Sequence, residues 1–204
     1  SVGALYIALW SKGLLSDKDL ETFHKDDTHL AGHPASDWHP GIRFATGSLG
    51  HGLSLACGTA FAQRFTGEKF HVYAILSDGD CNEGSTWEAA LFAAHHRLEN
   101  LTVIIDLNGL QGIGHTKDIL NLEPVADKWR SFGFAVAVAE QGNDFASLAR
   151  AHQELAAAPW PRCLIARTIK GHGISYMQDR MEWHYLPMTA AQYDQARQET
   201  GLIP

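Results

Sequence analysis

The chain has 204 residues, of which 45% are hydrophobic and 19% are charged, and its formal net charge is −7. This length and composition fit one compact domain with a sizeable core. The acidic balance and the lack of a Lys/Arg block disfavour nucleic acid and acidic membranes as partners, and no apolar stretch reaches membrane-spanning length. An anionic ligand would therefore need local groups or a metal ion to hold it.

The first quarter of the chain predicts short helices followed by a long loop. Residues 2–13 have the pattern of a helix that ends near Gly13, and residues 16–24 carry a modest helical pattern. Residues 25–47 are rich in His, Pro, Gly and Asp without periodicity, so they predict a loop of the length that is often functional. Residues 53–65 predict a helix of small residues that should pack closely against a neighbour.

Strands and helices alternate along the rest of the chain. Near-continuous apolar runs predict four strands, at 70–77, 101–106, 134–139 and 162–167. Helical patterns predict four further helices, at 85–97, 121–132, 144–157 and 189–200. Ser85 and Glu88 have capping-box spacing at the start of the first of these. We therefore predict an α/β fold, a doubly wound and mostly parallel sheet with helices on both faces.

The cysteines and the start of the chain lead to three further expectations. Cys57, Cys81 and Cys163 are widely spaced without a CxxC pair, which predicts buried free thiols in a reducing compartment. No signal peptide is visible, so we expect a cytoplasmic protein. The chain opens without Met inside an apolar segment, and we expect that an N-terminal segment precedes it.

Hard oxygen ligands follow two consecutive predicted strands. Asp78 and Gly79 come directly after the first strand, and Asn108 follows the second. Consecutive βα units usually lie side by side, and such sheets bind ligands beyond the carboxyl ends of their strands. We therefore expect Asp78 and Asn108 to face each other and to bind Mg²⁺ or Ca²⁺, with phosphate oxygens and water completing the coordination. Gly79 would let the backbone approach a phosphate closely.

Two other interpretations of the glycine- and aspartate-rich segments are weaker. Asp78, Asp80 and Asn82 fit the first three ligand positions of an EF-hand loop. That loop needs Gly at position six and Glu at position twelve, where this chain has Glu83 and Ala89. The glycine-rich stretch 47–52 is not GxGxxG and no strand clearly precedes it, which disfavours a dinucleotide site.

Five segments occur in the order seen in the transketolase family, which this chain resembles. They are GHP at 32–34, TGSLGHGLS at 46–54, SDGDCNEGSTWEA at 77–89, IDLNGLQ at 105–111 and TIKGHGISYMQ…WH at 168–184. Together these motifs are far more specific than any one of them. The chain is similar to the N-terminal, diphosphate-binding subunit of a split transketolase. The resemblance implies one thiamine-diphosphate-binding domain over 1–204, with a C-terminal extension at 168–204 that carries the KGHG and WH motifs.

The resemblance implies a role for each matched position. The metal ligands would be Asp78, Asn108 and the carbonyl of Leu110. The residues in contact with thiamine diphosphate would be Gly47, Ser48, Leu49, Gly79, Lys170 and His184. The catalytic residues would be His33, His184 and Glu83. The two histidines resemble those that face the substrate and the reacting carbon, and Glu83 resembles the acidic residue that links two active sites across the subunit interface.

The implied activity is transfer of a two-carbon ketol group from a ketose phosphate to an aldose. In the family, a glutamate on the pyrimidine-binding domain serves cofactor deprotonation, so this chain should act only with a C-terminal, pyrimidine-binding partner subunit, in a heterotetramer. Two alternatives stay open. One is a subunit of another thiamine-diphosphate enzyme, similar to deoxyxylulose-phosphate synthase or to a keto-acid dehydrogenase E1 component. The other is a non-catalytic partner domain that keeps the fold, against which the intact Asp78, Asn108 and Lys170 argue.

Two departures from the family pattern lie close to the motifs. Ser77 stands where the family has Gly, and we expect a tolerated change because Asp78 and Gly79 remain. Tyr185 follows His184 where Gly is common in the family. We expect this neighbourhood to shape a different acceptor pocket.

Overall fold

The computed structural model describes residues 2–36 and 38–202, which fall into two units. The first unit ends at Ser48. It contains helices α1 (Val2–Ser11) and α2 (Asp17–Leu20). The described part of 25–47 has no helix or strand, as the sequence predicts, but α2 ends at Leu20 although the predicted helical pattern runs from 16 to 24. A small core packs beneath these helices and consists of Tyr6, Leu15, Leu30 and Ile42.

The second unit begins at Leu49 and carries the α/β architecture. Its helices and strands in chain order are α3 (Gly52–Thr66), β1 (Val72–Ser77), α4 (Gly84–His95), β2 (Leu101–Leu107), β3 (Leu110–Gln111), β4 (Gly114–His115), α5 (Thr116–Leu120), α6 (Val125–Ser131), β5 (Ala135–Ala139), α7 (Phe145–Leu155), β6 (Arg162–Arg167) and α8 (Ala190–Glu199). Four strands form a parallel sheet in the order β1-β2-β6-β5, and β3 pairs with β4 as an antiparallel hairpin.

Helices cover the sheet on both faces, which confirms the predicted fold class. Side chains alternate between two cores along β6, because successive strand residues point to opposite faces. Cys163 and Ile165 join a large core with residues of α3, α4 and α6. Leu164 and Ala166 join a second core with Ala151 of α7. The near-continuous apolar strands are therefore buried on both sides, as parallel sheets require.

The structure of the second unit differs from the sequence prediction mainly as follows. Residues 107–120 received no prediction, but they hold the β3–β4 hairpin and α5, elements too short to show periodicity. The predicted helix at 121–132 begins only at Val125, because Pro124 has an extended conformation at the N-cap. The predicted capping box is wrong, since α4 begins at Gly84 after an N-cap at Glu83 that makes no side-chain hydrogen bond. Within the described residues, no helix is long and apolar enough to cross a bilayer.

The three cysteines are free and buried, as predicted. Burial raises the pKa of Cys57 and of Cys81 to about 12 and raises the pKa of Cys163 as well. Because the thiolate is the reactive form, we expect iodoacetamide at pH 7.5 to alkylate the native chain at least roughly a thousandfold more slowly than the urea-unfolded chain. Mass spectrometry of both reactions tests this. Rapid labelling of any cysteine in the native chain would contradict it.

Candidate active site

The site begins where β1 and β2 end at the same edge of the sheet. Ser77 pairs with Asp106 in the register of these parallel strands, so the residues after them emerge side by side. The Oδ2 atom of Asp78 accepts a hydrogen bond from the backbone N–H of Gly109 at 2.7 Å. The structure thus brings the Asp78 and Asn108 segments together, and their roles as metal ligands stay a prediction.

Asp78 is a buried carboxylate with one oxygen that lacks a partner. The residue is 1% exposed, and its Oδ2 also accepts a hydrogen bond from the Thr116 hydroxyl at 3.0 Å. Its Oδ1 is buried without a hydrogen-bond partner among the described residues. Burial raises the pKa of this carboxyl, which the hydrogen bond from Thr116 opposes. A buried, unpaired carboxylate oxygen is costly, and a bound cation would satisfy it.

Of the other two predicted metal ligands, Asn108 lies in the loop that leads into β3, and Leu110 is the first residue of β3. The Asn108 side-chain oxygen accepts a hydrogen bond from the Leu110 N–H at 3.0 Å, and the Asn108 amide reaches Asp106 at 3.4 Å. An amide oxygen has two lone pairs, so it can accept this bond and still bind a metal. No group of three His, Cys, Asp or Glu within 2–36 and 38–202 could hold a metal. A carboxylate, an amide oxygen and a carbonyl do suit Mg²⁺, which keeps few protein ligands.

The Asp80 side chain connects two segments of the site through hydrogen bonds, a role that its spacing from Asp78 does not indicate. Its Oδ2 accepts hydrogen bonds from the N–H and the hydroxyl of Ser77, both at 2.9 Å. Its Oδ1 accepts a hydrogen bond from the N–H of Gly50 at 3.0 Å. Asp80 therefore ties the segment around Gly50 to the end of β1. Ser77 contributes its hydroxyl to this arrangement, which gives a physical reason why serine is accepted at that position.

The segment from Leu49 to Gly50 lies directly against the start of α4. Gly50 has a φ of +76°, and a Cβ at this position would lie 2.4 Å from the Ser85 Oγ and 2.7 Å from the Glu83 Cβ. Ser85 donates its hydroxyl to the Gly50 carbonyl at 2.9 Å rather than capping the helix. Glu83 is exposed at the N-cap of α4. The side chain of Leu49 would lie 3.4 Å from a Cβ at Gly79, which is ordinary contact, so no clash forces glycine at 79.

Three predicted site residues lie in the first unit. Gly47 has a φ of +102°, and a Cβ there would lie 2.7 Å from the Nδ1 of His33. The imidazole of His33 thus packs directly on the Gly47 backbone, while Ser48 beside it is exposed. The predicted catalytic histidine and the predicted cofactor-binding glycine are neighbours within this unit.

Lys170 and His184 approach each other in the segment between β6 and α8. The Nζ of Lys170 lies 3.2 Å from the Nδ1 of His184, which belongs to the single-turn helix Met181–His184. If the lysine donates this bond, the proton of a neutral His184 is on Nε2. This pair could not be foreseen from spacing alone.

The segment that carries these two residues is held by its own hydrogen bonds. The Trp183 indole donates to the Tyr176 carbonyl at 2.7 Å. The N–H and hydroxyl of Ser175 both donate to the carboxylate of Glu199 in α8, each at 2.6 Å. These bonds join Trp183 to Tyr176 within the segment, and they join Ser175 to α8.

Comparisons with known proteins show which family this chain is similar to. The family model described as "Transketolase, thiamine diphosphate binding domain" matches residues 1–204. One of the subunits of the apulose-4-phosphate transketolase of Actinobacillus succinogenes is 42% identical over 183 residues, 90% of this chain and 66% of that protein. The 6-deoxy-6-sulfo-D-fructose transketolase subunit SqwG of Clostridium sp. is 37% identical over 186 residues, 91% of this chain and 68% of that protein.

Solved transketolase structures resemble this fold closely. The Campylobacter jejuni enzyme has a TM-score of 0.83 at 28% identity, over 92% of this chain and 30% of that one. The Leishmania mexicana enzyme has a TM-score of 0.84 at 29% identity, over 92% of this chain and 29% of that one. This chain thus spans 66% of the Actinobacillus protein and less than a third of these two chains. The family model covers the chain from end to end, and the chain therefore belongs to the transketolase family, as a thiamine diphosphate binding domain of the kind found in its split enzymes.

Proposed function

We propose that this chain binds the diphosphate of thiamine diphosphate through Mg²⁺, held by Asp78, Asn108 and the carbonyl of Leu110. The observation that supports this most is the buried Asp78 Oδ1, which has no partner among the described residues. Asp78 is joined to the Asn108 loop by the bond from the Gly109 N–H, and the Asn108 side-chain oxygen accepts one bond from the Leu110 N–H. Ca²⁺ takes the same oxygen ligands and is the alternative metal.

We propose further that the chain transfers a two-carbon ketol group from a ketose phosphate to an aldose. The bound cofactor would supply the electron sink for cleavage of the carbon–carbon bond. His33 and His184 would hydrogen-bond the substrate oxygens and move protons near neutral pH. Lys170, beside His184, would face the negative diphosphate, and Gly47, Ser48, Leu49 and Gly79 would present backbone groups to the cofactor.

A pyrimidine-binding partner subunit would complete the site, in a cytoplasmic heteromer. The relatives named as transketolase subunits support a two-chain enzyme. Glu83 is exposed at the start of α4, which is compatible with the proposed contact of its carboxylate with a neighbouring chain. The three buried free thiols are compatible with a reducing compartment.

The partner requirement gives a direct test of this function. We expect the purified chain with thiamine diphosphate and Mg²⁺ to show no ketol transfer, because the group that assists cofactor deprotonation lies on the partner. Adding the pyrimidine-binding subunit should give turnover, measured by aldose consumption with a panel of ketose phosphates as donors. EDTA should abolish turnover, and excess Mg²⁺ should restore it.

Each opposite result has a distinct meaning. Full transfer by the single chain would refute the partner requirement. Turnover that persists after complete metal removal would refute the metal site. A pair that binds the cofactor but decarboxylates keto acids instead would favour the keto-acid dehydrogenase class.

A further inference from the structure

The Tyr185 side chain lies against Gly112, in the turn of the β3–β4 hairpin that follows the proposed metal ligands Asn108 and Leu110. Tyr185 directly follows the single-turn helix Met181–His184. A Cβ added to Gly112 would lie 2.2 Å from the Tyr185 Oη and 3.1 Å from its Cζ. The φ angle of Gly112 is not in the left-handed region, so its backbone conformation does not require glycine. It is the phenol group that leaves no room for a side chain at 112.

The surroundings of Gly112 connect Tyr185 to the proposed active site. Gly112 lies in the turn between β3 and β4, two residues after Leu110. The Nε2 of His184 would lie 3.5 Å from the same added Cβ, and the other ring nitrogen of His184 is 3.2 Å from the Lys170 Nζ. The phenol hydroxyl therefore shares one patch with residues proposed to contact the metal, the cofactor and the substrate.

The Tyr185 side chain is exposed, and its hydroxyl has no partner within residues 2–36 and 38–202 that would occupy it. The residue is 70% exposed, so it does not serve to fill the core of the second unit. Its ring packs beside the imidazole of His184, with centroids 4.6 Å apart. Among the described residues its hydroxyl has no hydrogen-bond partner. A phenol hydroxyl both donates and accepts, which suits a polyhydroxylated ligand.

We propose that Tyr185 is a specificity-determining residue whose hydroxyl hydrogen-bonds a hydroxyl group of the ketose donor. This inference rests on the proposed function, because it places the reacting ketose beside His184. A site that hydrogen-bonds a substrate hydroxyl discriminates strongly among sugars that differ at that carbon. Gly112 contributes to this arrangement, because its lack of a side chain leaves room for the Tyr185 phenol.

The test uses the chain with its pyrimidine-binding partner, thiamine diphosphate and Mg²⁺. D-fructose 6-phosphate and D-xylulose 5-phosphate serve as donor probes. We expect Tyr185→Phe to raise the KM of at least one probe fivefold or more, with kcat within twofold. Equilibrium titration of thiamine diphosphate should give a Kd within twofold of the wild-type value. Tyr193→Phe, an exposed tyrosine on α8, is the matched control and should change none of these quantities.

Gly112→Ala provides an independent way to move the hydroxyl. The added methyl group would meet the far end of the flexible Tyr185 side chain, which can swing away without unfolding the chain. We expect Gly112→Ala to raise the same KM. When Gly112→Ala is combined with Tyr185→Phe, it should raise the KM little further, because the hydroxyl that it displaces is already absent.

The possible outcomes separate this inference from the proposed function. Unchanged KM values in Tyr185→Phe, or fully additive effects in the double variant, would reject the role of Tyr185 while ketol transfer by the wild type stands. A loss of thiamine diphosphate affinity in Tyr185→Phe would show that Tyr185 stabilises the β3–β4 hairpin, which carries the proposed ligand Leu110. This result would also reject the inference. A wild-type pair without cofactor binding or transfer would remove the proposed function and, with it, this inference.

Discussion

Asp78→Asn is expected to lower the Mg²⁺-dependent affinity for thiamine diphosphate by roughly 100-fold or more, without destabilising the metal-free chain. The amide is nearly the same shape, and its oxygen can still accept the hydrogen bonds from Gly109 and Thr116. The substitution removes the negative charge of a buried carboxylate, whose Oδ1 has no hydrogen-bond partner among the described residues. Calorimetric titration of the cofactor with and without Mg²⁺ measures the first effect, and thermal unfolding measures the second.

The pH dependence of stability gives a second signature of Asp78. Burial raises its pKa above the ordinary value of 3.8, so the stabilising contribution of the protonated form is lost as pH rises from about 4 through the raised pKa. Without metal, the Tm of Asp78→Asn relative to wild type should therefore increase as pH rises over this range. With Mg²⁺ and thiamine diphosphate, only the wild type should gain stability.

Asp127→Asn serves as the control for these experiments. Its side chain is 70% exposed in a surface ion pair with Arg130, so neither the cofactor Kd nor the pH profile should change. Cofactor binding by Asp78→Asn at wild-type affinity would refute the proposed metal site. A large loss of stability in metal-free Asp78→Asn would instead show that the carboxylate is structural.

Gly50→Ala is expected to destabilise the chain by about 2–4 kcal/mol. The new Cβ would lie 2.7 Å from the Glu83 Cβ, which cannot move without the backbone of the α4 start. It would also collide with the Ser85 hydroxyl at 2.4 Å, and alanine would be strained at a φ of +76°. Urea unfolding at equilibrium measures the change in the free energy of unfolding.

Gly58→Ala is the matched control because Gly58 lies within α3 and a Cβ there would meet nothing within 4 Å. This substitution should stabilise the isolated chain by about 0.5–1 kcal/mol through helix propensity. A lower free energy of unfolding in Gly50→Ala and a higher one in Gly58→Ala would distinguish a steric requirement for glycine from a general effect of adding a methyl group. Equal effects of the two substitutions would contradict the close approach of the Gly50 segment to α4.

The parts of the site that were predictable from sequence are those that directly follow long apolar strands. Asp78 and Asn108 come just after such strands, and the parallel register of β1 and β2 places them at one edge. The fold class follows from the same apolar runs. Thr116 was not predictable, because it lies 38 residues after Asp78 in the short helix α5. Its position depends on a bond from its N–H to the Gly109 carbonyl, a tertiary contact without a periodic signal.

Two other residues show where local sequence patterns were misleading. Ser85 has the spacing of a capping residue, but its hydroxyl donates to the Gly50 carbonyl instead. Asp80 fits a calcium-ligand position by its spacing from Asp78, but Ser and Asp three residues apart often bond each other's backbone. That pattern at Ser77 and Asp80 was the available signal for the turn. The pairing of Gly112 with Tyr185 has no signal in the sequence at all.

The hydrogen bonds around Ser175, Trp183 and Glu199 have a consequence for how such a protein can diversify. They join the stretch after β6 to α8, so much of that stretch keeps its shape through contacts that do not involve Asp78. Its contacts with the edge that carries Asp78 include the bond from the Thr168 N–H to the Leu107 carbonyl and the packing of Tyr185 on Gly112. Substitutions that leave those contacts in place can therefore accumulate in evolution without disturbing Asp78, and lineages that share one cofactor can become selective for different sugars.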